Sequence, residues 1–222
     1  ATATDYVQEQ YRQNGITTQI LRHGLVRDIT AELGDEVISD KHRVLFWRDP
    51  SVDNGADVVM DVYDVLAPKY PKISFDLAVR PHWKEIPNLE ERASKHKNVH
   101  VYRFPYEDGI TLPKLMLESL CVLMPIRNMS IDPQLVIAES LAAGVPVIAT
   151  DKNGNGEMIT PGRSGYLIAE GNVKAGIEAL DSILSNHENA LAMGHHAKQD
   201  ISERFNWNTY VDEVVKMYQG VL

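Results

Sequence analysis

The chain has 222 residues, 44% of them hydrophobic and 24% charged, with a formal net charge of −9. That length supports one large domain with a sizeable core, or one domain plus arms from a neighbour. The acidic balance excludes general nucleic-acid binding, which needs a basic footprint, and no run approaches the roughly 18 apolar residues of a membrane span.

From the amino end, Thr4 to Ile16 reads as a helix closed by Asn14-Gly15. Apolar runs then alternate with helix-period segments. Val44 to Phe46 reads as a strand, Ala56 to Leu66 as a helix, Ile73 to Val79 as a strand, Leu89 to Lys95 as a helix and Val99 to Tyr102 as a strand. Cys121, the one cysteine, lies in Leu120-Cys-Val-Leu-Met and reads as a small buried hydrophobe on a further strand. No disulfide can form within the chain, so a reducing, cytoplasmic setting is expected. No signal-peptide or lipidation pattern is evident.

The most informative stretch runs from Asp132 to Ile168. Leu135 to Ala143 is an apolar helix whose one acidic residue is Glu139, ended by Gly144, and Val145 to Thr150 reads as a core strand. The strand opens into Asn153-Gly-Asn-Gly-Glu157, where the glycines permit positive φ and close backbone approach to a ligand. Both the helix N-terminus and the glycine loop offer backbone N–H groups to a phosphate.

Beyond residue 170 the chain turns helical, with Val173 to Leu184, Glu188 to Arg204 and Asn208 to Tyr218. Strands joined by helical crossovers define an α/β class: a Rossmann-like parallel sheet with helices on both faces and a helical C-terminal segment. Ligands of such sheets lie beyond the carboxyl ends of the strands. Arg48 follows the first strand there, where a guanidinium can grip two phosphate oxygens or pair with Asp49 or Asp53. Asp53, Asp57, Asp61 and Asp64 recur at helical spacing and read as a solvated acidic face, not a metal site, and His195-His196 reads as surface.

Glu139-Ser-Leu-Ala-Ala-Gly-Val-Pro-Val-Ile-Ala, followed by Gly154, Glu157, Gly162 and Gly165, resembles the group-one glycosyltransferases. These are retaining, metal-independent enzymes of the GT-B fold that use nucleotide sugars, and the likeness is to their C-terminal, donor-binding half. It implies that residues 1–25 close the preceding domain before a hinge, 26–204 form the donor-binding domain, and 205–222 form a helix crossing back. The chain would then be one half of a longer protein with a native C-terminus.

The resemblance also implies roles. Arg48 and the backbone of Leu135 and Val136 would hold the diphosphate, and Glu139 the ribose hydroxyls. Asp132 and the loop of Gly154, Asn155 and Gly156 would face the sugar, and Arg103 and Phe104 the base. Asp132 and Arg48 would be the groups nearest the chemistry. Gly162 and Gly165 read as structural.

Two departures stand out. Asn54-Gly55 replaces the family's Lys-Gly, leaving Lys152 or Arg80 as substitute cations, and the family's second glutamate falls in register on Ile131, one residue before Asp132. No cofactor is implied beyond the nucleoside-diphosphate sugar donor. The acceptor, a sugar or lipid-linked glycan, would be bound by the other half, whose membrane contact the sequence leaves open. A sugar-nucleotide epimerase and a non-catalytic nucleotide-sugar-binding module are the alternatives.

Overall fold

The computed structural model describes residues 1–22, 24, 40–81, 84–128 and 131–220. Six parallel strands form one sheet: β1 (Arg43–Phe46), β2 (Ser74–Val79), β3 (Val99–Arg103), β4 (Ser119–Met124), β5 (Val147–Thr150) and β6 (Gly165–Ile168). Their spatial order is β3-β2-β1-β4-β5-β6. Register follows the buried side chains, with Val44 opposite Phe75 and Val122 opposite Val147. Every residue of β4 is buried, as expected of a central parallel strand covered on both faces.

The helices are α1 (Asp5–Gln13), α2 (Ala56–Leu66), α3 (Leu89–Ala93), α4 (Leu112–Leu117), α5 (Leu135–Ala142), α6 (Asn155–Met158), α7 (Val173–Leu184), α8 (His187–Arg204) and α9 (Trp207–Gln219). They cover both faces, α2 packing on α7 and α5 on α8. The core runs from Val44 to Phe205 and takes no residue from α1 or α9. Instead α9 lies beside the segment before the sheet, with Trp207 so close to Gly24 that a Cβ there would meet its ring at 2.2 Å. The domain boundary expected at 25/26 lies outside the described residues.

Two local expectations are corrected. The helix expected over Leu89 to Lys95 stops at Ala93, and a short helix, α4, precedes β4. The start signal for α4 is present, because Thr111 accepts from the Lys114 N–H and Pro113 sits in the first turn. The acidic residues of α2 are not simply solvated. Asp57 takes both nitrogens of Arg127 (2.5 and 2.7 Å), Asp61 and Asp64 share Arg92, and His96 lies 3.1 Å from Asp64. Burial pushes the Asp57 carboxyl up, yet Arg127 and the backbone amides of Asp57 and Val58 together more than offset that and leave it below its ordinary value.

One buried charge went unread in the sequence. Asp76 on β2 is fully buried, held by Arg43 (2.7 Å) and Ser74 (2.6 Å). Burial raises its pKa, and these two partners offset only part of the rise.

Candidate functional site

The strand order reverses direction between β1 and β4, and in doubly wound sheets the crevice at that point receives the ligand. Gly55 sits at this switch point. Its φ is 78°, and a Cβ there would fall 2.1 Å from the Pro125 carbonyl oxygen after β4, so only glycine lets the β1 loop and β4 approach this closely. Asn54 turns inward, its side-chain amide donating to Asp49 O (3.2 Å) and Ser51 Oγ (3.1 Å). The residue standing where the family has lysine therefore braces its own loop.

Arg48 follows β1 at this rim. Its Nε is buried without a hydrogen-bond partner, and Arg48 makes no ion pair with any described carboxylate, including the Asp49 and Asp53 considered from sequence. A buried donor with no protein acceptor is uncommon and calls for an explanation. Arg48 lines a cavity of about 190 Å³ with Trp47, Arg80, Tyr106, Leu112 and Val136. One cavity thus joins the carboxyl ends of β1 and β2, the loop after β3, and the first turn of α5.

That first turn is itself open to an anion. Gln134, the N-cap of α5, makes no side-chain cap bond, because its amide donates to Ile131 O instead, and no acidic residue lies in the turn. The first amides of a helix have no intrahelical acceptor and carry the positive end of its dipole. The amides of Leu135 and Val136 are in this position.

Glu139 lies one turn beyond Val136 on the same helix face and is half-buried. Its neighbour Ser140 accepts from Trp47 Nε1 (3.2 Å) and donates to Val136 O (2.6 Å). This chain of bonds pins α5 against the end of β1. Arg48 and Glu139 therefore flank one interaction at the same end of the sheet.

On the β5 side the two carboxylates are already filled, although Thr150 Oγ1 at the end of β5 is buried without a partner. Asp132 accepts from Thr4 Oγ1 (2.5 Å) and from the Gly154 N–H (3.0 Å). Glu157 accepts from the N–H groups of Asp5 and Tyr6 (3.0 Å each) and from Arg22 (2.8 Å). Burial raises the Glu157 carboxyl, but the Asp5 amide, Arg22 and the Tyr6 amide more than offset this and hold it below its ordinary value. Thr4 also caps α1, so the start of that helix is clasped to the glycine loop.

Within the loop the expected positive φ falls on Asn153 (φ 52°) and not on its glycines. Gly154 has φ −79° and is required for space, since a Cβ would lie 2.6 Å from Thr4 and 2.9 Å from Asp132. Asn155 is fully buried, donating to Thr150 O (2.9 Å), and Gly156 has room for a Cβ. Arg103 is paired with Glu85 and Glu90 and lines a separate open groove along β3. The Phe104 N–H donates to Val79 O (2.9 Å), while its ring is half exposed at the rim. Trp47 and Leu112 also line the cavity, as do Tyr106 from the loop after β3 and Arg80, expected only as a substitute cation. The signal that finds them is position at a strand end or in the loop after one.

Among the described residues no group of three or more His, Cys, Asp or Glu side chains is placed to hold a metal ion, and no helix is long and apolar enough to cross a membrane.

Strand order, helices on both faces and a cavity at the switch point make this a Rossmann-like, doubly wound domain of the kind found as the C-terminal domain of GT-B glycosyltransferases. The sequence profile of the family described as "Glycosyl transferases group 1" matches residues 37–200, and the chain belongs to that family. Among its relatives is the D-inositol 3-phosphate glycosyltransferase of Corynebacterium urealyticum, 32% identical over 100 residues, which are 45% of this chain and 23% of that protein. The uncharacterized glycosyltransferase MJ1178 of Methanocaldococcus jannaschii is 25% identical over 165 residues, covering 74% of this chain and 46% of that one. The chain thus matches less than half the length of either relative.

Solved structures share the fold at low identity. Anabaena Alr3699/HepE in complex with UDP-glucose superposes with a TM-score of 0.73 at 18% identity, covering 99% of this chain and 63% of that one. The C-terminal domain of a group 1 glycosyl transferase from Francisella tularensis gives 0.63 at 16% identity, covering 82% and 95%.

Proposed function

We propose that this chain is the donor-binding half of a retaining glycosyltransferase, which moves a hexose-type sugar from a nucleoside diphosphate to an acceptor hydroxyl. The observation that carries this reading is Arg48 Nε, buried without a partner in a cavity shared with the uncapped start of α5. A diphosphate supplies acceptors to that nitrogen and to the amides of Leu135 and Val136 together, and leaving such a buried donor unpaired costs about 1–3 kcal/mol.

In this reading Glu139 accepts from the ribose hydroxyls one turn along α5, and the base lies toward the loop after β3. Asp132 holds the Gly154 to Gly156 loop at the sugar end through the Gly154 N–H. As the bond from the sugar to the diphosphate breaks, negative charge concentrates on the leaving oxygen. Arg48 and the α5 amides bind that charge more tightly than the ground state, which is what accelerates the reaction. The leaving oxygen takes the proton of the incoming hydroxyl on the same face of the sugar, so configuration is retained. No metal is assigned to the step.

The acceptor, a sugar or a lipid-linked glycan, belongs to a second half outside this chain, in a reducing, cytoplasmic setting. Calorimetry with UDP, GDP and ADP tests the reading. One of them binds the wild-type chain, and Glu139→Ala weakens it by roughly 1.5–3 kcal/mol, the range for hydrogen bonds to a charged group. Unchanged affinity in that variant refutes the ribose assignment.

A further inference from the structure

Resting on the donor reading above, we infer that Arg80 is the second cation of the diphosphate site. A diphosphate presents more than one negative charge, and Arg48 supplies a single positive one. The other cations near this rim are committed. Lys152 donates to Arg127 O (2.6 Å) and Glu170 (2.7 Å), Arg127 clamps Asp57, Arg103 is held by Glu85 and Glu90, and Lys84 lies 3.6 Å from Asp53. Asn54 carries no charge and faces its own loop.

Arg80 lines the same cavity as Arg48 and Val136 and pairs with no described carboxylate. What holds it is an aromatic face. The guanidinium carbon stands 5.3 Å over the Phe104 ring, and Phe104 is braced edge-on by Tyr106, with centroids 5.7 Å apart at 89°. A cation–π contact orients a long side chain without neutralising it, whereas an acidic partner would cancel the charge a phosphate needs. The ring therefore presets the guanidinium at the cavity mouth with its N–H groups available to phosphate oxygens. This placement makes Arg80 the functional replacement for the cation lost at Asn54.

The test compares wild type, Arg80→Ala, Arg80→Lys, Phe104→Ala and Glu139→Ala. Each is titrated with UDP, GDP and ADP by calorimetry and with the uncharged nucleosides by ligand-observed NMR. Arg80→Ala weakens the cognate diphosphate by about tenfold or more, leaves the nucleoside unchanged, and flattens the salt dependence of diphosphate binding. Arg80→Lys recovers part of the loss, and Phe104→Ala gives a smaller loss.

No loss in Arg80→Ala, or an equal loss for nucleoside and diphosphate, overturns the assignment. Glu139→Ala weakens both ligands, which separates the two readings. If it does so while Arg80→Ala binds normally, the donor site stands and Arg80 falls. If no diphosphate binds even the wild type, both fall.

Discussion

On the β1 side of the sheet rim, Arg48 and Arg80 pair with no described carboxylate and α5 begins without a side-chain cap. On the β5 side, Asp132 and Glu157 have donors from Thr4, Gly154, Asp5, Tyr6 and Arg22. The first region leaves Arg48 Nε and the first amides of α5 without a protein acceptor. The second spends its acceptors on fastening α1 to the glycine loop. Residues that resemble one motif set can therefore divide into a clasp and a set of unpartnered donors, a division read from their hydrogen bonds.

The contrast can be broken at its hinge. Gly55→Ala places a Cβ against the Pro125 carbonyl at a φ of 78°, with an expected loss of about 3 kcal/mol of stability in urea denaturation. Since that approach joins the β1 loop to β4, nucleotide binding is expected to fail with it.

Two substitutions sharpen the comparison from opposite sides. Arg48→Ala is expected to cost nucleoside diphosphate binding roughly 1.5–3 kcal/mol by calorimetry. The melting temperature should stay near wild type, because no intramolecular bond of Arg48 Nε is lost. Asp132→Ala is expected to behave in reverse, lowering stability by about 1–2 kcal/mol through the lost Thr4 and Gly154 bonds. Its effect on diphosphate affinity should be smaller. If Asp132→Ala is as stable as wild type, the clasp is incidental.

The smallest effect is set by pH. The Glu157 carboxyl lies below its ordinary value of 4.5, so its contribution is fully present above that value and is lost as pH falls through the lowered one. Hydrogen exchange at the Asp5 and Tyr6 amides should therefore lose protection on acidification, beyond the intrinsic pH trend. The Glu157→Gln variant should show weaker protection near neutrality and a flatter pH response.

Much of the fold was legible because local pattern and global role agree. Ala56–Leu66 and Val173–Leu184 match to the residue, their apolar period being one buried face of a helix between turn signals. Position at a strand end put Arg48 at the rim, where it lines the cavity, whereas Glu139 was singled out by the family resemblance and not by the helix pattern. What could not be read was pairing. The acidic spacing in α2 looks solvated until Arg92 and Arg127 arrive from other elements, and the glycine loop looks open until Thr4 and Asp132 pack against Gly154.

The order of apolar runs and breakers by itself determined a parallel, doubly wound sheet and which of its ends is the one where such sheets take ligands, because those follow from periodicity and chirality along the chain. Only the tertiary structure decided which polar groups are satisfied. Asn54 closes its loop, Lys152 serves Arg127 and Glu170, and Arg48 keeps a buried nitrogen unpaired. Each outcome depends on partners distant in sequence, and a hydrogen bond is a property of the pair.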